Sequence, residues 1–197
     1  ISTGEVLEES VTGVGYGLVW SADGESYYYT RVDEAWRPFQ VWHHVVGEDP
    51  SADTLLFTEE DASYWLGIGG THDDRWLVLS LGSKDTAEFH LLDLQDVEAG
   101  LRVVQPRTPG LDYDIEIDGQ RLYIVHNRDR VDYDVSWAPL ATPGIEHWQP
   151  LLERGEGERL MGVSAFRDFV LVGLRSGGLA TVKLLPKPQV AKVLLAA

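Results

Sequence analysis

The stretch "YGLVWSADGESYYYTRV", residues 16–32, sets two short runs of aromatic and β-branched residues on either side of Asp23-Gly24. Runs of this composition around an Asp-Gly pair predict two antiparallel strands and their hairpin turn. The next two runs, "FQVWHHVV" (39–46) and "DTLLFTE" (53–59), complete a set of four strands with Gly, Asp and Pro at their borders. Helical periodicity is nearly absent from the chain.

The set of four recurs. "YWLGIG" (64–69), "RWLVLSL" (75–81), "AEFHLLD" (87–93) and "LRVVQ" (101–105) form a second, and "YDIEI" (113–117), "RLYIVHN" (121–127), "VDYDVSW" (131–137) and "HWQPLL" (147–152) a third. "LMGVS" (160–164), "DFVLVGL" (168–174) and "GLATVKLL" (178–185) open a fourth, with "AKVLLA" (191–196) as its expected last strand. The turn after the first strand of each set reads Asp23-Gly24, Asp73-Asp74, Asp118-Gly119 and Arg167-Asp168, at intervals of 50, 45 and 49 residues. A four-strand unit returning every ~40–50 residues is the signature of β-propeller blades. A β-sandwich or barrel with evenly spaced turns is the competing fold.

The expectation is therefore an all-β chain: a β-propeller fragment of about four four-stranded antiparallel blades. The blades would span 13–60, 61–107, 108–154 and 155–186, making a partial propeller over 1–186, with 187–197 a boundary or a last outer strand. "GEVLEES" (4–10) reads as an outer-strand stub of a preceding blade. Blades bury their faces on neighbours, so an open arc is expected to self-associate.

With 16 basic and 32 acidic residues, the formal charge is −16. Nucleic acids and anionic membranes reward Lys and Arg, so they are not the expected partners. No cysteine is present, which removes disulfides, thiolate metal sites and Cys nucleophiles. No apolar run reaches transmembrane length, and "ISTGEVLEES" has no signal-peptide character. Without an initiator Met, the chain is expected to be a piece of something longer.

Catalytic signatures are missing. "LRSGGLA" does not make a Gly-x-Ser-x-Gly elbow around Ser176, and "GIGGTHDD" (67–74) lacks the following helix that a phosphate loop needs. None of His43, His44, His72, His90, His126 and His147 falls in a His-x-x-x-His pattern. His43 and His44 adjoin in a strand, so they face opposite sides and cannot clasp one metal; inter-blade packing is their expected role, with Glu48, Asp49 and Pro50 forming the exit turn. Alternation would set Asp132 and Asp134 on one face of their strand, opposite Tyr133 and Val135. Neither a cofactor nor a metal is expected. Acids cluster at Glu59, Glu60 and Asp61, where one blade hands over to the next. These are either a solvated turn or a contact for a cationic partner.

The ordered set "VWSADGESYYYTRVDEAWRPFQVWHHVVGEDPSADTLLFTEED" (19–61), "RWLVLSLGSKDTAEFHLLDL" (75–94), "DYDIEIDGQRLYIVHNRDRVDYDV" (112–135) and "FRDFVLVGLRSGG" (166–178) resembles the propeller segment of the prolyl oligopeptidase family of serine peptidases, in its oligopeptidase B (protease II) branch. The family usually has Arg where His43 stands. The resemblance implies a parent with a propeller covering an α/β-hydrolase domain, which carries a Ser-Asp-His triad and cleaves short peptides after Lys or Arg in the cytoplasm. It implies that this chain holds no catalytic residue and serves as a gating lid. By position, Glu59 matches an acid that contacts the hydrolase domain and favours closure, and the adjacent Glu60 remains an alternative. Two other readings compete: a free-standing propeller scaffold for protein partners, and a propeller hydrolase using paired carboxylates such as Asp114 and Glu116.

Overall fold

The computed structural model describes residues 4, 6 and 9–187. Among the described residues, fifteen strands form four antiparallel sheets in strict sequence order. The first blade comprises β1 (Val14–Trp20), β2 (Ser26–Val32), β3 (Pro38–Val45) and β4 (Thr54–Thr58); the second comprises β5 (Trp65–Gly70), β6 (Trp76–Gly82), β7 (Ala87–Asp93) and β8 (Arg102–Val103). The third comprises β9 (Tyr113–Asp118), β10 (Arg121–His126), β11 (Asp134–Pro139) and β12 (Gln149–Leu152); the fourth comprises β13 (Glu158–Ala165), β14 (Phe169–Ser176) and β15 (Leu179–Pro186). The expected last strand at 191–196 lies outside the described residues. Of the expected stub at 4–10, residues 4, 6, 9 and 10 carry no strand, and the others lie outside the described residues.

The recurring turn has one chemistry in the first two blades. Ser21 and Thr71 each donate a hydroxyl to the Asp two residues on, and each hydroxyl also accepts a backbone N–H from five residues on, that of Ser26 or Trp76. The residue after the Asp takes the left-handed conformation, at φ 74° for Gly24 and 53° for Asp74. Asp tolerates that region better than most side chains, so Asp73-Asp74 replaces Asp-Gly without changing the turn.

One expected strand begins late. The run 131–137 does not start β11 until Asp134, because Tyr133 sits at φ 61° and its N–H bonds back to Arg130. Asp132 belongs to that turn, so the expected alternation of Asp132 and Asp134 on one strand face does not hold.

The chain divides into two compact units, residues 1–84 with 89–103, and 85–88 with 104–197. The first holds blades one and two. Its core joins Val19, Tyr28 and Val41 to Leu66, Leu77, Leu79, Leu81 and Leu92. Gly17, at φ 101°, lets β1 close on β5; a Cβ there would lie 3.0 Å from the Ile68 carbonyl oxygen. The second unit packs Tyr123, Val125 and Val135 against Leu160, Val170, Val172 and Leu174 of the fourth blade. There Glu116, one of the two inner-strand acids, accepts the Ala165 N–H at 2.8 Å. It ties blades together and is not presented for carbohydrate chemistry.

In each full blade the loop between the second and third strands grips the link to the next blade. In the first, Arg37 is 9% exposed and its Nη1 donates to the carbonyls of Tyr64 (3.0 Å) and Asp61 (3.3 Å), while its Nε donates to Asp33 at 3.0 Å. In the second, Thr86 Oγ1 accepts from Gly110 N and Ala87 N donates to the Leu111 carbonyl, both at 3.0 Å. In the third, the Asp132 carboxylate lies 3.8 Å from Arg154 of the link, and the Asp132 backbone carbonyl accepts the N–H of Leu160 in β13 at 2.9 Å.

Replacing Arg37 by Met would leave Asp33 and several buried carbonyls without their donor. Leaving a buried backbone acceptor without its donor costs about 1–3 kcal/mol, so urea unfolding of Arg37→Met should show a lower midpoint. Lys lacks the planar fork and should not rescue it; an Arg37→Lys protein as stable as the parent would contradict the clamp. In the third blade, His126 is buried, packs tilted against Trp148 with ring centroids 4.9 Å apart and bonds Ser136 Oγ at 2.8 Å through Nε2. Burial, with help from Arg128, pushes its pKa down to about 4. The unfolded chain, with His near 6.5, then binds the proton first. Stability from this group is complete above about pH 6.5 and falls as the pH drops towards 4, by up to about 3 kcal/mol. A His126→Gln variant should lose less stability over that window in pH-dependent denaturation.

Candidate functional site

The sequence points to two places in the first blade: the histidine pair and the acidic link that leaves β4. In β3, His43 and His44 do face opposite sides. His43 packs tilted against Tyr28 with ring centroids 4.8 Å apart, and burial lowers its pKa. His44 is fully buried, and Nδ1 bonds Asp53 Oδ1 at 2.7 Å. The other oxygen of Asp53 accepts the Tyr29 hydroxyl at 2.6 Å, and Arg31 donates to that hydroxyl at 2.7 Å. The Arg31 guanidinium lies 4.1 Å above the Trp42 ring. Burial first, then the bond to Asp53, pushes the Tyr29 pKa up to about 12.

This network corrects the expected role of the pair. His44 is not inter-blade packing; it fastens the outer edge of its own blade, because Asp53 stands at the threshold of β4. The acid that matters is therefore Asp53, rather than Glu48 or Asp49 of the exit turn. Asp49 instead caps the short 3-10 turn Pro50–Ala52 through the Ser51 N–H. Nothing in "SADTLLFTE" distinguishes Asp53 from a strand-border residue; only the register, which sets β3 beside β4 with His43 opposite Thr54, brings it to His44.

A His–Asp pair also belongs to acid–base catalysis. Here it is sealed. His44 Nε2 is buried without a hydrogen bond, and the nearest charge is Glu9 Oε1 at 3.7 Å. Glu9 in turn accepts the Gly47 N–H at 2.6 Å, which seats the segment before β1 over the same turn. With the imidazole fully buried, the arrangement holds strands and presents no reacting group. Among the described residues, no group of three or more His, Cys, Asp and Glu side chains is placed to hold a metal ion. Of the other histidines, His72 is exposed in its turn, His90 lies beside Phe57 at 5.3 Å and His147 faces Glu146 at 3.6 Å.

The link separates its two glutamates. Glu59 is 3% exposed; its N–H donates to the Phe39 carbonyl at 2.7 Å and its carboxylate accepts the Asp61 N–H at 2.8 Å. Glu60, one residue on, is exposed. The carbonyls around them are those held by Arg37. The link is thus a rigid ledge with one acid turned in and the other turned out. The sequence could not separate the two, because the link is not a strand and follows no alternation.

Comparison with known proteins assigns this architecture. Residues 1–194 match the model of the prolyl oligopeptidase N-terminal β-propeller domain. The chain is 31% identical to Protease 2 of Moraxella lacunata, over 92% of this chain and 26% of that protein, and 28% identical to dipeptidyl aminopeptidase BI of Pseudoxanthomonas mexicana, over 94% and 26%. Among solved structures, oligopeptidase B from Leishmania major superposes with a TM-score of 0.86 at 28% identity, over 93% of this chain and 26% of that one. Oligopeptidase B from Trypanosoma brucei, with covalently bound antipain in the closed form, gives 0.85 at 28% identity, over 92% and 26%. The chain thus spans about a quarter of the length of these relatives. Its sheets are propeller blades, and the chain belongs to the prolyl oligopeptidase family, as part of the N-terminal β-propeller domain.

Proposed function

We propose that this chain is the gating portion of a cytoplasmic, oligopeptidase B-like serine peptidase. In that reading, an α/β-hydrolase domain of the same parent carries the catalysis and cleaves short peptides after Lys or Arg, and the propeller restricts what reaches it. The observation that carries the reading is the likeness to oligopeptidase B at a TM-score of 0.86, confined to 26% of that protein. The inventory of polar groups agrees with it. His44–Asp53 and His126–Ser136 are both consumed inside blades, and the links are clamped. A lid needs such stiffness, since it must move as a body to bias open against closed states.

The acidic link supplies the contact. In this reading the exposed Glu60 meets a cationic group on the hydrolase domain, and the buried Glu59 shapes the ledge that carries it. An exposed interdomain charge pair is worth about 1 kcal/mol. In the full-length enzyme, Glu60→Gln should therefore lower kcat/KM for a short arginyl peptide by about 3- to 10-fold, leaving the unfolding midpoint unchanged. Glu59→Gln should lower the midpoint. Kinetics that ignore both substitutions at every ionic strength would remove the interdomain role.

We further propose that the isolated chain self-associates along the fourth blade. Val182 and Leu184 lie two apart on β15, hence on one face, and are 62% and 55% exposed. Sedimentation should show concentration-dependent association, and Val182→Lys should shift it to monomer. A monomer at all concentrations would refute the contact.

A further inference from the structure

Trp36 combines two unfavourable features. Its backbone is left-handed at φ 61°, a region that bulky side chains avoid, and its ring is 78% exposed. The loop enforces both. Asp33 Oδ1 accepts the N–H groups of Ala35 (2.9 Å) and Arg37 (3.0 Å), and the Asp33 carbonyl accepts that of Trp36 at 3.0 Å. With Arg37 anchored to the link, the indole cannot fold back. Strain imposed by an over-determined loop on an exposed aromatic is a reason to look for a ligand.

Trp36 stands on the rim of an apolar cup of about 550 Å³ in the first unit. Tyr16, Val14, Trp65 and Ile68 complete the wall, and Tyr16 and Trp65 are themselves 94% and 61% exposed. Gly17 forms part of the floor, its missing Cβ letting the Ile68 backbone approach. Three exposed aromatic rings around one concavity offer flat π faces as well as apolar area.

Charge then selects the occupant. The two segments that place Trp36 and Trp65, residues 33–37 and 59–65, contain Asp33, Glu34, Glu59, Glu60 and Asp61 against a single base. That base, Arg37, is buried and bound to Asp33 and to link carbonyls. Glu34 and Glu60 are exposed. An acidic partner would be repelled by these neighbouring carboxylates, and a neutral apolar one would leave them unused. We propose that this cup is a docking site for a basic peptide segment, in which an apolar residue fills the cavity and a neighbouring Lys or Arg lies against the aromatic faces and towards the exposed Glu34 and Glu60 of the adjoining loop and link. The proposal does not depend on the parent being a peptidase.

The test uses the 197-residue chain and a fluorescein-labelled octapeptide of alternating Lys and Leu, with its Glu/Leu counterpart as control, read by fluorescence anisotropy. The informative variant is Trp36→Gly. Glycine is at ease at φ 61°, so the unfolding midpoint should hold or rise while the ring is lost. The Lys/Leu peptide should bind the parent saturably, more weakly as salt rises, and at least tenfold more weakly to Trp36→Gly. The Glu/Leu peptide should not bind. If Trp36→Gly lowers the midpoint, Trp65→Thr reads the same cup from its other rim and must weaken the same peptide. Equal affinity for parent and variant, equal binding of both peptides, or no saturable binding would each overturn the proposal. So would a Trp36→Gly variant that dissociates an oligomer of the parent, since the occupant would then be a second copy of the chain.

Discussion

The grip of each second-to-third-strand loop on the following link is the constraint on which the rest of the structure depends. A four-stranded blade has two apolar faces and cannot bury them alone. Its neighbour must therefore start at the right point and angle. Arg37 sets this for the first junction by holding the carbonyls of Asp61 and Tyr64 just ahead of β5. A guanidinium suits the task because its donors are fixed in a plane, and three backbone oxygens and one carboxylate share it. The third junction, within the second unit, reaches the same end through the Asp132 carbonyl, and in that unit Thr86 and Ala87 hold Gly110 and Leu111 through a hydroxyl and a strand N–H. The charged version stands where an ionised side chain is already at hand: Asp33 compensates Arg37 directly.

Within blades, buried polar pairs do a related job. Side chains alternate along a strand, so a slip of one residue would invert every face. His44–Asp53 across β3 and the start of β4, and His126–Ser136 across β10 and β11, each match only one register. An apolar pair would tolerate sliding better, since dispersion is not directional. The pairs do this at a cost, visible in the depressed pKa of His126, where burial opposes the charged form.

Much of this was legible beforehand, for stated reasons. Strand runs and the Asp-x turns report local preferences, and local preferences dominate hairpins; that is why Asp23-Gly24 and Asp73-Asp74 could be matched without coordinates. The blade count followed from their spacing. Three things were not legible. Asp53 acquires its partner through register, which no short window contains. Glu59 and Glu60 are separated by an irregular link, where alternation says nothing. β11 starts three residues later than the run 131–137 suggests, because Tyr133 is turned into the left-handed region by its loop. β-propensity reads side chains, and here the backbone hydrogen bond to Arg130 prevails.

Tyr133 and Trp36 together show how one frame serves different ends. Both lie in the loop that leads into a third strand, both are left-handed at φ 61°, and both bond back to a carbonyl three residues earlier. The strain is thus a property of the loop, not of either side chain. In the third blade it is offset locally: the Tyr133 hydroxyl donates to Asp112 at 2.5 Å, and Arg159 lies 5.4 Å from its ring centroid. In the first blade the same geometry carries an indole outward, beside Tyr16 and Trp65, over a cavity. A loop that needed only to turn would be better served by Asn or Gly at that position. The aromatic in each blade therefore answers to what lies beyond the turn, a folded contact in one case and an open cup in the other.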